Sequence, residues 1–299
     1  MTTRRPAGWM VDLSLAGMTL IWGATFVLVK EAVAEVSTLL FLTVRFAIAS
    51  AAVFVLFRRQ FLAPGLGRSL RGGVLAGCCL FGGYILQTLG LEHTTASKAG
   101  FITGLTVPLV PLISAIAYRK FPQISELAGS AIAFAGLALM TVERDILDIG
   151  RGDLLVAGCT VAYAFHILTV GRYAPTTNAG VLIVTQIATG ALIGAATFWW
   201  AEPVRAHWTP TVWVALAVTG LLATALGFSI QTWAQRFSSP TRTALIFSLE
   251  PLFAWATSYL LAGEVLSRRA MAGAALIVAG ILVVELKPVR NAPHPSPKQ

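Results

Sequence analysis

The sequence predicts an all-α integral membrane protein: ten transmembrane helices arranged as two inverted five-helix repeats, with both termini cytoplasmic. Three observations predict it. The 299 residues are 56% apolar and 12% charged, with a mean hydropathy of +0.76, where a soluble domain carries roughly 25% charge. The apolar residues fall in long runs that recur along the whole chain, and one span needs about 20 of them. Finally, two stretches half a chain apart are versions of each other: ILQTLGLEHTTASKAGFI over 85–102 and SIQTWAQRFSSPTRTALI over 229–246. Weak internal similarity between halves of a hydrophobic chain marks an architecture built by duplication.

The apolar runs cover, in order, 9–29, 37–57, 70–90, 98–118, 124–142, 152–171, 179–200, 211–232, 241–262 and 268–286. The first begins at Trp9 and stops at Lys30. It is too long for the apolar core of a signal peptide, and no small-residue cleavage site follows it. The second carries Arg45 and ends at Arg58-Arg59. The third follows Arg68 and Arg71 and contains Gly73-x-x-x-Gly77, a spacing that lets helix backbones approach closely. The fourth ends at Arg119-Lys120, and the fifth at Glu143-Arg144-Asp145. The sixth closes at Arg172. The seventh holds Gly190-x-x-x-Gly194 and ends on Trp199-Trp200. Trp208, Trp213 and Trp233 bracket the eighth as interfacial anchors. The ninth contains Glu250-Pro251, and the tenth lies between Arg268-Arg269 and Lys287. Alternating strands of about ten residues are absent, which argues against a β-barrel.

The repeat divides the chain. Gln87/Gln231, Thr88/Thr232 and Ile102/Ile246 are identical pairs, and Lys98 matches Arg242 in kind. Leu42-Thr43-Val44-Arg45-Phe46-Ala47 matches Ile183-Val184-Thr185-Gln186-Ile187-Ala188 more loosely. Ala135-Gly136-Leu137 matches Ala279-Gly280-Ile281, and Val107-Pro108-Leu109 falls near Glu250-Pro251-Leu252. The expected organisation is a cytoplasmic N-terminal segment (1–8), a first five-helix repeat (9–143), a second (152–286) and a disordered, Pro-rich cytoplasmic tail (287–299). Five is odd, so two such units in series cross the membrane in opposite senses.

Charge distribution sets the orientation and excludes a partner class. The net charge of +9 invites a nucleic-acid reading. Instead the basic residues sit in short loops, 14 on the side of the N-terminus against 7 on the other, with Arg45 inside a span. That is the positive-inside pattern of a bilayer protein, so no nucleic-acid partner is expected. Cys78, Cys79 and Cys159 all fall within spans and read as small core residues, not a disulfide or metal set. There is no His-Glu-x-x-His, Gly-x-Ser-x-Gly, Walker or Cys-x-x-Cys motif. No cofactor, metal, catalytic residue or enzyme activity is expected, and oligomeric state is not readable.

Three local patterns carry a family resemblance: Leu20-Ile21-Trp22-Gly23-Ala24-Thr25-Phe26-Val27 in span 1, Arg45-Phe46 in span 2, and Ser248-Leu249-Glu250-Pro251-Leu252-Phe253-Ala254 with Gly263-Glu264-Val265-Leu266 in span 9. Together the chain resembles the EamA-type branch of the drug/metabolite transporter superfamily over essentially its whole length. Within it the chain is similar to the aromatic-amino-acid exporters. The resemblance implies an inner-membrane, multi-pass permease that exports small metabolites such as amino acids. It departs from the family at Arg119-Lys120-Phe121-Pro122, where the second repeat has Gly-Glu-Val-Leu. The four-span multidrug relatives keep an acid in their first span, and Trp22-Gly23-Ala24-Thr25 has none.

Charges at a bilayer centre cost about 2.5–3.5 kcal/mol each on insertion scales and face a cavity or a partner. Arg45 and Glu250 are the two here. Glu250 precedes Pro251, which frees a carbonyl one turn earlier. It suits a cation or ammonium site, with helix capping or pairing to Arg45 as the structural alternative. Arg45 suits a substrate carboxylate, with bracing of the bundle as the alternative. The remaining substrate-binding candidates are Trp22, Thr25, Tyr84, Gln87, Phe101, Tyr163, His166, Gln231, Phe247 and Ser248, each of which is also an ordinary packing residue. The reading favours a secondary carrier over an intramembrane enzyme on lipid-linked substrate, because the titratable groups are scattered. A passive channel is the third class. The expected partners are a small-molecule substrate and the lipid bilayer.

Overall fold

The computed structural model describes residues 6–94, 99, 102–119, 121–141, 149–262 and 267–285. Arg4-Arg5, Lys98, Phe101, Lys120, Glu143-Arg144-Asp145, Gly263-Glu264-Val265-Leu266 and the tail beyond Glu285 lie outside them.

The chain is helical. The helices are α1 Gly8–Glu35, α2 Thr38–Phe57, α3 Gly67–Leu91, α4 Thr106–Tyr118, α5 Ile124–Thr141, α6 Arg151–Tyr173, α7 Ala179–Ala201, α8 Pro210–Ala234, α9 Pro240–Phe247, α10 Glu250–Ala262 and α11 Arg268–Glu285. Among the described residues the only extended pairing is one bridge between Val36 and Ala206. Five segments are long and apolar enough to cross a membrane by length and composition: Thr38–Leu62, Gly67–Leu91, Arg151–Thr176, Ala179–Ala201 and Pro210–Ala234. Shorter apolar helices run over Ile102–Ala117 and Ile124–Met140.

Local chemistry explains the helix ends. The Asn178 side chain accepts from Val181 N at the start of α7, Thr209 from Val212 N at α8, and Ser239 from Arg242 N at α9. Each satisfies one of the free donors of a first turn. Pro210 and Pro240 occupy the following positions, where a missing N–H costs nothing. α9 and α10 are two pieces of one apolar run, separated at Ser248 and Leu249, just ahead of Pro251. The first half breaks in the corresponding place: Leu105 is a turn, three residues before Pro108. A proline removes the hydrogen bond to the carbonyl four residues earlier and crowds it.

α8 departs from α-helical geometry in its middle. Val218–Leu226 is a π-helix, flanked by α-helical Pro210–Ala217 and Gly227–Ala234. Each π turn holds an extra residue, and such segments concentrate at functional sites.

Helix neighbours come in exchanged sets. α3 packs on α6 and α7, and α8 packs on α1 and α2; α4 packs on α6, and α9 with α10 packs on α1; α2 pairs with α7, and α5 with α11. Directions follow from the contacts. A Cβ on Gly129 would stand 2.6 Å from the Gly280 carbonyl oxygen, and one on Gly136 would stand 2.5 Å from that of Gly273, so α5 and α11 run antiparallel with backbones touching. The two Gly-x-x-x-Gly pairs also sit in contacts: Gly73 and Gly77 on Thr185 and Thr189 of α7, Gly190 and Gly194 on Phe46 and Thr43 of α2. α3 is thus parallel to α7, and α2 antiparallel to it. The central core joins α2, α3, α7 and α8 through Phe41, Phe46, Phe81, Ile187, Leu216 and Phe228.

Charged groups tie the two ends. At one end Arg242 of α9 makes a two-pronged contact with Asp12 of α1, Nε to Oδ1 at 2.9 Å and Nη2 to Oδ2 at 2.5 Å, and Ser239 donates to Glu126 of α5. At the other, Asp153 accepts from Thr94 at 2.6 Å and from Gly150 N at 2.9 Å, and Glu202 accepts from Leu39 N and Leu40 N at the start of α2.

Candidate functional site

Midway between the two tied ends, polar and aromatic side chains from seven helices converge. Arg45 of α2 is only 4% exposed. Its Nε donates to Thr224 Oγ1 at 2.8 Å, its Nη2 to the Tyr84 hydroxyl at 3.1 Å, and its carbon Cζ lies 4.8 Å from the Tyr84 ring centroid. A guanidinium carries five donors. Nη1 has no hydrogen-bond acceptor among the described residues. A buried cation left with unused donors is costly unless a further acceptor reaches it.

The π segment of α8 makes this placement possible. Thr224 Oγ1 donates to Thr219 O, five residues back, at 2.8 Å, so its lone pairs are turned toward Arg45. Next to it, the Ala223 carbonyl accepts from Trp22 Nε1 at 2.8 Å. Both partners therefore come from one irregular stretch, and both cross to the other half of the chain.

The aromatic rings form a continuous surface. Trp22 lies 5.4 Å from Phe228 and 5.1 Å from Phe247, centroid to centroid. Tyr84 lies 5.4 Å from Phe46, 5.9 Å from Tyr163 and 6.3 Å from Phe228. Most are tilted or edge-to-face, the favoured arrangement for such pairs. On the Tyr163 side the rings carry a polar chain: the Tyr163 hydroxyl donates to Gln87 Oε1 at 3.0 Å, and Gln87 Nε2 donates to Thr103 Oγ1 at 3.2 Å.

Glu250 opens α10 and is half-buried. It makes no hydrogen bond and no ion pair among the described residues. Gly23 brings α1 directly against it: a Cβ there would stand 2.9 Å from the Glu250 carbonyl oxygen and 2.8 Å from Ala254 N. The structural alternative in which Glu250 pairs with Arg45 is not what the molecule does. Arg45 is engaged by Thr224 and Tyr84, and no ion pair joins it to Glu250.

Other sequence candidates lie deeper. His166 Nε2 meets Gln186 Oε1 at 3.0 Å, Gln186 Nε2 donates to Thr232 Oγ1 at 2.9 Å, and His166 stands edge-on to Phe228. Gln231 Nε2 donates to Gln235 Oε1 at 3.1 Å, and Gln235 donates to Ile167 O. These five polar side chains are almost wholly enclosed and tie α6, α7 and α8 together. Thr25 and Ser248 bond only to their own helices, at Trp22 O and Leu245 O. Phe101 lies outside the described residues. So the structure brings together Trp22, Arg45, Tyr84, Gln87, Tyr163, Phe247 and the vicinity of Glu250, and sets His166 and Gln231 behind them. Sequence reasoning missed Thr224, Thr103 and the Ala223 carbonyl. Only the five-residue spacing of Thr219 and Thr224 hints at the π register. Among the described residues no group of three or more His, Cys, Asp or Glu stands ready to hold a metal.

Comparison with known proteins fits this geometry. The profile of the EamA-like transporter family matches twice, over residues 9–142 and 150–286. An uncharacterized transporter of Archaeoglobus fulgidus is 33% identical over 276 residues, covering 92% of this chain and 86% of the relative. The uncharacterized transporter YyaM of Bacillus subtilis is 23% identical, covering 91% of this chain and 92% of its own. The uncharacterized inner membrane transporter YedA of Escherichia coli K12 is 22% identical over 91% of this chain and 90% of its own. A crystal structure superposes with a TM-score of 0.77 at 18% identity, over 93% of this chain and 97% of the other, a likeness of fold.

Proposed function

We propose that this chain, which belongs to the EamA-like transporter family and is a membrane transporter, is a secondary carrier of small, partly apolar metabolites, with amino acids the favoured class, moved outward across the inner membrane. The observation that carries the reading is the pair of unmatched charges around one aromatic surface. Among the described residues Arg45 keeps Nη1 without an acceptor, and Glu250 keeps its carboxylate without a donor. A zwitterion supplies what each lacks: its carboxylate to Arg45, its ammonium to Glu250. Its side chain would lie against Trp22, Tyr84, Tyr163 and Phe228, the mostly apolar wall with few polar fixtures usual for ligand sites.

Alternating access is the mechanism we assign. Ten crossings in two inverted sets of five would put each helix contact in one half opposite its counterpart in the other. The exchanged neighbours and the antiparallel α5–α11 pair support that arrangement. Interconverting the two halves then opens opposite faces. Trp22, Arg45, Tyr84, Gln87, Phe101, Tyr163, Phe247 and Glu250 are the residues we assign to substrate, with Thr25, His166, Gln231 and Ser248 supporting them. The repeats at 9–143 and 152–286 are the moving units.

The test is counterflow in proteoliposomes. Vesicles loaded with an amino acid should transiently accumulate the labelled amino acid from outside, saturably, and Glu250→Gln should abolish the overshoot at normal folded yield. No amino-acid flux above empty vesicles sinks the amino-acid reading. Flux without saturation or overshoot identifies a channel instead.

A further inference from the structure

We propose that the end of the bundle where α3 begins and α6 ends holds a binding site for an anionic phospholipid headgroup. A cavity of about 410 Å3 opens there, lined by Gly67, Arg68, Arg71, Arg172 and Tyr173. Three arginines from two helices converge on it, and no carboxylate lines it among the described residues. Arg68 and Arg71 have no ion pair among the described residues. Arg68 and Arg71 are like charges one turn apart on α3, and a phosphate relieves their repulsion; guanidinium forks match its oxygens two at a time.

What distinguishes a lipid from a soluble anion is the surface leading away from the cavity. On α3, Arg71, Val74, Leu75 and Cys78 fall at the i, i+3, i+4 and i+7 spacing of one face, and all are exposed. On α6, Phe165 and Val161 are exposed, but buried Leu168 and Thr169 separate them from Arg172. The two helices lie side by side, with Gly72 against the Tyr173 ring and Gly83 against that of Tyr163. α3 therefore presents arginine at its end and bare apolar side chains toward its middle. A phosphodiester in the cavity places an acyl chain along that stripe. The cavity is remote in sequence and in the fold from Arg45 and Glu250, so the inference stands independently of the substrate assignment.

The experiment titrates purified full-length protein in neutral detergent with three probes: dioleoyl phosphatidylglycerol, phosphatidylcholine of the same chains, and inorganic phosphate. The readout is the thermal unfolding midpoint, because ligand binding raises it by mass action. Phosphatidylglycerol alone should raise it saturably. Removing one arginine should weaken half-saturation about fivefold, so Arg71→Gln should need roughly five times more lipid and Arg68→Gln/Arg71→Gln roughly 25 times more. Arg58→Gln/Arg59→Gln, which removes as much charge from the end of α2 outside the cavity, should leave half-saturation unchanged. The midpoint without lipid reports folding of each variant, and the single variant decides if the double one does not fold. An equal response to phosphatidylcholine, an equal loss in the Arg58/Arg59 variant, or a full response to inorganic phosphate overturns the proposal.

Discussion

At one corner of the central cluster Trp22 rests on Phe228, where α1 meets α8; at the other, Tyr163 rests on Tyr84, where α6 meets α3. The ring separations are 5.4 and 5.9 Å. These are equivalent positions. Tyr84 and Phe228 stand as far apart in sequence as Gln87 and Gln231, and Trp22 and Tyr163 as far apart as Arg45 and Gln186. The chemistry is not equivalent. The Tyr163 corner is polar, its hydroxyl running through Gln87 to Thr103. At the Trp22 corner Phe247 occupies the place of Thr103, the indole turns to the Ala223 carbonyl in the π segment, and Gln231 turns away to Gln235. Duplication has kept the packing geometry and let the hydrogen bonding diverge. At the proposed site, a substrate between the corners would meet a polar wall and an apolar one.

That difference can be broken experimentally, starting with the largest effect. Trp22→Ala removes the apolar corner's central ring and strands the Ala223 carbonyl. It should cost about 3 kcal/mol or more of stability, read as a lowered denaturation midpoint in detergent. Tyr84→Phe removes the acceptor of a buried guanidinium and should cost roughly 2 kcal/mol and at least tenfold in substrate affinity, about 1.4 kcal/mol; unchanged affinity would separate Arg45 from the substrate. The matched glutamines should respond unequally. Gln87→Leu orphans the Tyr163 hydroxyl, leaves Thr103 only its contact with Cys159 Sγ, and should cost about 1–3 kcal/mol. Gln231→Leu removes a side chain whose own Oε1 is buried without a partner, which offsets the loss at Gln235, so its effect should stay under about 1 kcal/mol. Equal costs at the two sites would mean the copies are energetically alike. The matched threonines give the smallest contrast. Thr88→Val loses only a bond to its own helix at Tyr84 O and should fall within about 0.5 kcal/mol of wild type. Thr232→Val strips Gln186 of its acceptor and should cost about 1 kcal/mol.

Much of this was legible in residue types. The Gln-Thr duplication pointed to paired segments, and Arg45 and Glu250 stood out because a charge inside an apolar run demands an explanation. Pro251 marked where span 9 would break, and the break falls at Ser248 and Leu249. The hidden part was register. An extra residue per turn in Val218–Leu226 leaves no compositional trace, because Val218-Thr219-Gly220-Leu221-Leu222-Ala223-Thr224 reads as any apolar helix. Yet that insertion aims Thr224 at Arg45 and Ala223 at Trp22. Nor does spacing reveal which way a long amide turns, so Gln231 read as a site residue while its partner is Gln235, one turn along the same helix. Side-chain direction at the centre is decided by contacts between halves, which sequence separation conceals.

The most direct test of the account is binding of the transported amino acid to purified protein, followed by titration calorimetry, in wild type and in Glu250→Gln. Replacing the carboxylate by an amide preserves size and removes the charge that would hold an ammonium. Affinity should fall at least tenfold, about 1.4 kcal/mol, while the unfolding midpoint without ligand stays where it was, since Glu250 has no hydrogen bond or ion pair to lose among the described residues. Affinity equal to wild type would contradict it and move the substrate away from the cluster between the two corners.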